Sequence, residues 1–131
     1  MNIYVAHSGK IDFENELYKP LEESEIGQKH SLFLPERETN KKINTKDIIK
    51  KDIDLLIAEI SFPATGLGIE LGRAETYNVP IVGIYRTGHT FANSIRFVTN
   101  TFIEYDGTKD LVDKLIQHIK KIENGLQQSA R

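Results

Sequence analysis

Short apolar runs recur along the chain at the spacing of a β/α alternation. Asn2 to Ala6 is apolar and β-prone and reads as a central strand. Ser31 to Leu34 predicts a short second strand, closed by Pro35. Leu55 to Ile60 has the length and composition of a buried third strand, and Ser61, Phe62 and Pro63 stop it, since proline cannot donate to a ladder. Pro80 to Tyr85 and Thr101 to Tyr105 predict the fourth and fifth. The intervening stretches carry helical signals. Phe13, Leu17 and Leu21 repeat every four residues behind Asp12, a capping residue, with Glu14 and Glu16 in the first turns. Asn15 at the third position rules out a reciprocal capping box, and Pro20 is expected to kink or end the helix. Thr45 is placed to cap a short helix that turns Ile48, Ile49 and Ile53 inward. Thr65-Gly66-Leu67-Gly68 reads as a turn, with a helix from Ile69 onward. Phe91 to Val98 predicts a short helix. After Asp106-Gly107, Thr108 is placed to cap the last helix, with Asp110 in its first turn and a stripe of Leu111, Leu115, Ile119, Ile122 and Leu126. Gln127 to Arg131 is expected to fray.

Strands alternating with helices predict an α/β fold: a doubly wound, mainly parallel five-stranded sheet, Rossmann-like, with helices on both faces. The 131 residues fit one domain, 1–131, without repeats or linkers. Charge narrows the function classes. Lys and Arg total 17 and Asp and Glu 19, mixed along the chain, for a net charge of -2; this argues against a basic nucleic-acid-binding surface. Without cysteine there is neither a disulfide nor a thiolate metal site. His7, His30, His89 and His118 lack metal-ligand spacing, so no metal is expected. No apolar run approaches a membrane span, and Met1-Asn2 leads into a strand rather than a signal peptide, which makes a cytoplasmic protein the expectation.

In such a sheet, ligands bind beyond the carboxyl ends of the strands at the switch point. The loops there are His7–Lys10, Pro35–Asn44 (polar, charged and aperiodic from Glu36 to Asn44, which reads as a mobile loop beside the site), Ser61–Gly68 and Arg86–Thr90. Strand, glycine turn and helix in succession form a half-unit that places small anions. Glu70 reads as a first-turn carboxylate, held ionised by the helix dipole, as suits a nucleophile or anchoring anion better than a proton donor. The Ser8 hydroxyl, with the amides around Gly9, suits a helix cap and equally a phosphate ligand, two roles that do not exclude each other. Arg86, His89 and Ser94 could reach an anion, although loop cations are more often merely solvated. Tyr4 alone reads as a core aromatic. Glu59 alternates onto the face of Leu55 and Ile57, and a buried carboxylate there needs a partner, for which Arg73 is a candidate; its role reads as structural. Gly72 reads as a site of close helix packing.

Two segments carry a family resemblance: Ala58-Glu59-Ile60-Ser61-Phe62-Pro63, and Gly66-Leu67-Gly68-Ile69-Glu70-Leu71-Gly72-Arg73-Ala74. They resemble the signature of the 2'-deoxynucleoside 5'-phosphate N-hydrolases, grouped with the nucleoside 2-deoxyribosyltransferases, whose pattern is a Gly-x-x-x-Glu-x-Gly-x-Ala turn. The likeness extends from Asn2 to about Ile116. It implies a flavodoxin-like strand order 2-1-3-4-5, Glu70 as the nucleophile, Tyr4 as the residue that orients it, and Ser8 as a phosphate ligand, with Gly9, Thr65, Gly66 and Gly68 lining the substrate. It also implies a general acid just before the third strand. Ungapped alignment puts Lys46 there, eight residues before Asp54; Asp47, one residue away, is the candidate, and Asp52 the less suited substitute. The implied reaction is hydrolysis of the N-glycosidic bond of 2'-deoxynucleosides or their 5'-monophosphates, by a homodimer in which a neighbour's loop completes the site and without a cofactor. A deoxyribosyltransferase and a catalytically silent nucleotide-binding module remain alternatives. The chain departs from the pattern at Ala64, where the hydrolases use a phosphate-binding serine, and at Ala92, where a second serine comes from the neighbouring subunit. Thr65 and Ser94 lie close to those positions. A weakened 5'-phosphate preference is therefore expected.

Overall fold

The computed structural model describes residues 1–38 and 45–129. Five strands, β1 (Asn2–Ala6), β2 (Ser31–Phe33), β3 (Leu55–Glu59), β4 (Ile81–Arg86) and β5 (Phe102–Tyr105), form one sheet in the order β2-β1-β3-β4-β5. Every pairing is parallel, with Ile3 opposite Leu55, Leu56 opposite Ile81 and Gly83 opposite Phe102. The switch point therefore lies between β1 and β3, where the chain reverses its direction of travel across the sheet.

Two buried clusters show that helices cover both faces. Ile3, Val5, Leu55, Ile57, Val82 and Ile84 point to one side, against Leu17, Leu21 and the Leu111, Leu115 and Ile119 stripe of α5 (Gly107–Ser129). Tyr4, Ala6, Leu56 and Ala58 point to the other, against Ile49 of α3 (Thr45–Asp52) and Leu67, Leu71 and Ala74 of α4 (Thr65–Thr76). Alternation along each strand produces this division, because successive side chains leave a sheet on opposite sides.

Several local expectations are corrected. Asp12 caps as expected, its Oδ1 accepting from the Asn15 N–H at 3.4 Å. The helix does not stop at Pro20. A π-helical turn, Glu14–Tyr18, precedes α1 (Lys19–Glu23), and the Lys19 N–H bonds five residues back to the Glu14 carbonyl. The register slips one residue just before Pro20, so its missing N–H falls at the seam. Ser24 then caps an unforeseen helix, α2 (Glu25–Lys29), its hydroxyl accepting from the Ile26 N–H at 3.1 Å. Pro35–Glu38 is a 3-10 turn, while residues 39–44 of the expected mobile loop lie outside the described part, as does the Thr45 side chain. The segment after β4 narrows to a 3-10 turn, Asn93–Phe97. At α5 the left-handed Gly107 (φ 85°) begins the helix, Thr108 lies within it, and the Asp110 carboxylate accepts from the Asp106 N–H at 2.8 Å. That helix runs to Ser129, past Gln127, and residues 130 and 131 lie outside the described part. Around Gly72 a side chain would meet nothing within 4 Å, so close helix packing is not its role.

Candidate active site

The most consequential correction concerns α4. It starts at Thr65, not Ile69, because the two glycines are accommodated in its first turn. Glu70 is thus its sixth residue and sits in the second turn, beyond the reach of the terminal N–H groups. From there it faces the carboxyl end of β1. The fully buried Tyr4 donates its hydroxyl to Glu70 Oε2, while its ring stacks on Phe33 of β2 with centroids 5.1 Å apart. Burial, then the adjacent Glu70 charge, pushes the Tyr4 hydroxyl far above its ordinary range, so it stays a neutral donor. Glu70 is itself pushed above the usual carboxylate range. Its burial is the chief cause; the Tyr4 hydrogen bond opposes this, the Glu36 charge adds to it and Arg73 works against it. The expectation of a dipole-stabilised anion is therefore overturned: desolvation outweighs a dipole that has faded by the second turn.

The loop after β1 is ordered by a buried imidazole. His7 Nδ1 donates to the Ser8 carbonyl at 2.8 Å, which leaves Nε2 to accept from the Tyr18 hydroxyl at 2.5 Å. Tyr18 in turn accepts the Glu36 N–H at 3.2 Å, and Phe13 stacks on His7 at 4.7 Å. Ser8 is buried, and its Oγ accepts from the Lys10 N–H at 3.1 Å, so it shapes its own turn rather than capping the helix. Gly9 is exposed with open space around it.

Ala64 stands at the N-cap of α4 in extended conformation and has no side chain that can cap it. The first turn of α4 thus receives no side-chain cap from Ala64, and a Cβ at Gly66 or Gly68 would meet nothing within 4 Å. This is the geometry of an anion site at a helix start. Beside it lies a cavity of about 170 Å³ that brings Ala64, Gly68, Ala92 and Ser94 together within one chain, among Ile60, Phe62, Pro63, Leu67 and Ile95. Both departures from the resemblance thus line one largely apolar hollow.

Other expected residues are not gathered here. Arg86 leaves β4 on the opposite face, ion-paired with Glu16 and stacked over Phe62 at 5.7 Å, in a cavity of about 350 Å³ that also holds His89 and the start of α5. Asp47 is exposed in the first turn of α3 and is not among the charges that act on Glu70. Glu59 is buried but does not reach Arg73, because α4 covers the other face. Its partners are the Tyr105 hydroxyl and the Ser61 N–H, the latter at 2.6 Å. Sequence reasoning missed Glu36, whose charge bears on Glu70, and the His7–Tyr18 pair. Neither has a spacing signal, since each depends on how β2 and the first helix dock beside β1. A groove of about 820 Å³ between β5 and α5 contains none of these residues. No group of three His, Asp or Glu among the described residues could hold a metal ion, and no helix among them is long and apolar enough to cross a membrane.

No family model matches the chain. Over 64 residues, 47% of this chain, it is 38% identical to the "Putative 2'-deoxynucleoside 5'-phosphate N-hydrolase 1" of Syntrophotalea carbinolica; the match spans 45% of that relative's own length. Among solved structures it is similar to the CMP N-glycosidase of Clostridium botulinum, with a TM-score of 0.61 and 26% identity over 88% of this chain and 98% of that one. The five-stranded parallel sheet in the order 2-1-3-4-5 is common ground with that N-glycosidase.

Proposed function

As a relative in sequence and structure of N-hydrolases and N-glycosidases that act on nucleotides, the chain, we propose, hydrolyses the N-glycosidic bond of 2'-deoxynucleosides and their 5'-monophosphates. The observation that carries this reading is the Tyr4–Glu70 bond at the switch point, beside the uncapped start of α4.

Ionised Glu70 attacks the anomeric carbon and displaces the base. A second carboxyl protonates the departing nitrogen and then takes a proton from the water that resolves the glycosyl-enzyme, as in retaining glycosidases. Tyr4 holds the nucleophile in one orientation. Asp47 is the acid the resemblance favours; Glu36, whose charge reaches Glu70, is the alternative favoured by the electrostatics. The Ser8 loop and the first turn of α4, with Gly9, Thr65, Gly66 and Gly68, receive the 5' end of the substrate, and Ser94 supplies a nearby hydroxyl. The apolar character of the cavity at Ala64 and Ala92 supports a weakened phosphate preference. Homodimerisation fits the exposure of two large apolar side chains, Phe97 at 87% and Ile69 at 51% accessible.

The deciding experiment incubates the protein with nucleosides and 5'-monophosphates, deoxy and ribo in matched pairs, and separates free base by chromatography. Deoxy substrates are expected to react faster, because the missing 2'-hydroxyl eases an oxocarbenium-like transition state. Equal ribo and deoxy rates would remove the sugar preference, and binding without base release would leave only a nucleotide-binding module. Adding a second base detects transfer, the alternative to hydrolysis.

A further inference from the structure

Glu59 is 1% exposed on a face where Leu55 and Ile57, its strand neighbours, are apolar. Burying a carboxylate costs several kcal/mol unless it is fully hydrogen-bonded. Oε2 accepts from the Tyr105 hydroxyl two strands away, and Oε1 accepts the Ser61 N–H at 2.6 Å, the first amide beyond Ile60, whose own N–H still pairs with β4. Ser61 is also buried, and its hydroxyl accepts the Arg86 N–H at 2.9 Å. The turn between β3 and α4 is therefore pinned on both sides of Ser61, by a side chain from the strand it leaves and by the neighbouring strand. Four residues later the chain enters α4, whose N-cap Ala64 supplies no side-chain cap and whose Gly66 and Gly68 border open space.

From this geometry we infer that Glu59 is a positioning residue: its carboxylate fixes the Ser61–Ala64 turn and thereby aims the first turn of α4 at the substrate. The functional part of this inference rests on the hydrolase reading above, whereas the placement of the turn does not. Glutamine at position 59 keeps an oxygen for the Ser61 N–H, and leucine removes it while matching the apolar neighbours.

The test compares Glu59→Gln with Glu59→Leu by amide NMR and by base release from 2'-deoxynucleoside 5'-monophosphates. In Glu59→Leu the amide resonances of Thr65 and Gly66 should shift, and kcat/KM should fall about tenfold to a hundredfold, the scale of a displacement of about 1 Å. The loss should fall mainly on KM, with Glu59→Gln close to wild type in both measurements. Unmoved Thr65 and Gly66 amides in a folded Glu59→Leu overturn the inference, and so do equal losses in the two variants. If Glu59→Leu does not fold, Tyr105→Phe, which frees the carboxylate on its other side, is read by the same amides: shifts support the positioning role and their absence overturns it. If the wild-type protein releases no base from any substrate, the hydrolase reading fails while the amides still decide the role of Glu59 in the turn.

Discussion

Two tyrosine–glutamate pairs sit at the carboxyl ends of this sheet, one on each face, and they are built in opposite ways. In Tyr4–Glu70 the tyrosine belongs to a strand and is fully buried, while the glutamate comes from a helix and still reaches solvent. In Tyr105–Glu59 the glutamate belongs to the strand, is 1% exposed, and has its second oxygen occupied by the Ser61 N–H. The same two side chains thus produce a held carboxyl in one place and a reachable one in the other. A carboxylate whose oxygens are both saturated inside the protein is poorly placed to attack anything. One that accepts from the Tyr4 hydroxyl, partly desolvated yet still reaching solvent, is a stronger base and nucleophile once ionised.

The sharpest way to test this contrast is Glu70→Gln, which is expected to lower base release by at least about a thousandfold, as loss of a covalent nucleophile does. Turnover near wild type would remove Glu70 from that role. Stability should move the other way. Because burial raises the pKa of Glu70 in the folded protein, the stabilisation it contributes is present below its unfolded pKa and is lost as pH rises through the folded value. At pH 7 the variant should therefore melt no lower than wild type, and any advantage should shrink on acidification.

Next come the two hydroxyl deletions, which should separate cleanly. Tyr4→Phe removes a hydrogen bond to the proposed nucleophile, worth roughly 1.5–3 kcal/mol when that group is ionised, so kcat/KM should fall about tenfold to a hundredfold with little loss of stability. Tyr105→Phe leaves a buried carboxylate short of one donor and should lower the unfolding free energy by about 1–3 kcal/mol, read by denaturant titration. If Tyr105→Phe destabilises no more than Tyr4→Phe, the distinction between a held and a reachable carboxylate fails.

A smaller effect is expected at the start of α4. Ala64→Ser restores a capping hydroxyl where the backbone is already extended, for about 1 kcal/mol of stability, and offers one donor to a phosphate. Selectivity for a deoxynucleoside 5'-monophosphate over the nucleoside should rise about tenfold. If the wild type already requires the phosphate and the serine adds nothing, the apolar cavity does not weaken that preference.

The mildest prediction concerns pH. Activity should fall on the acid side as Glu70 takes up a proton, with the limb above the usual carboxylate range because burial raises it. Tyr4→Phe removes the bond that favours the anion, so the limb should move to still higher pH. A limb that stays in place would mean that another group controls it.

The sequence by itself determined the alternation of strands and helices, the boundaries of β1, the start of β3, and the motif that singles out Glu70. These are local properties: apolar periodicity records which face is buried, and proline, glycine and capping residues mark where elements stop. Even local reading erred where two signals competed, as at the glycines taken for a turn before α4; at Pro20 the helix is distorted by a π-helical slip rather than ended. Tertiary structure decided the rest. Tyr4 meets Glu70 across 66 residues and Tyr105 meets Glu59 across 46. No spacing rule links such positions; sheet order and the side taken by each helix bring them together. The same topology sent Arg86 to Glu16 on the far face, kept Arg73 from Glu59, and set Glu36 within electrostatic reach of Glu70. It also fixed the ionisation of Glu70, because desolvation depends on everything packed around a carboxyl and not on its place in a helix.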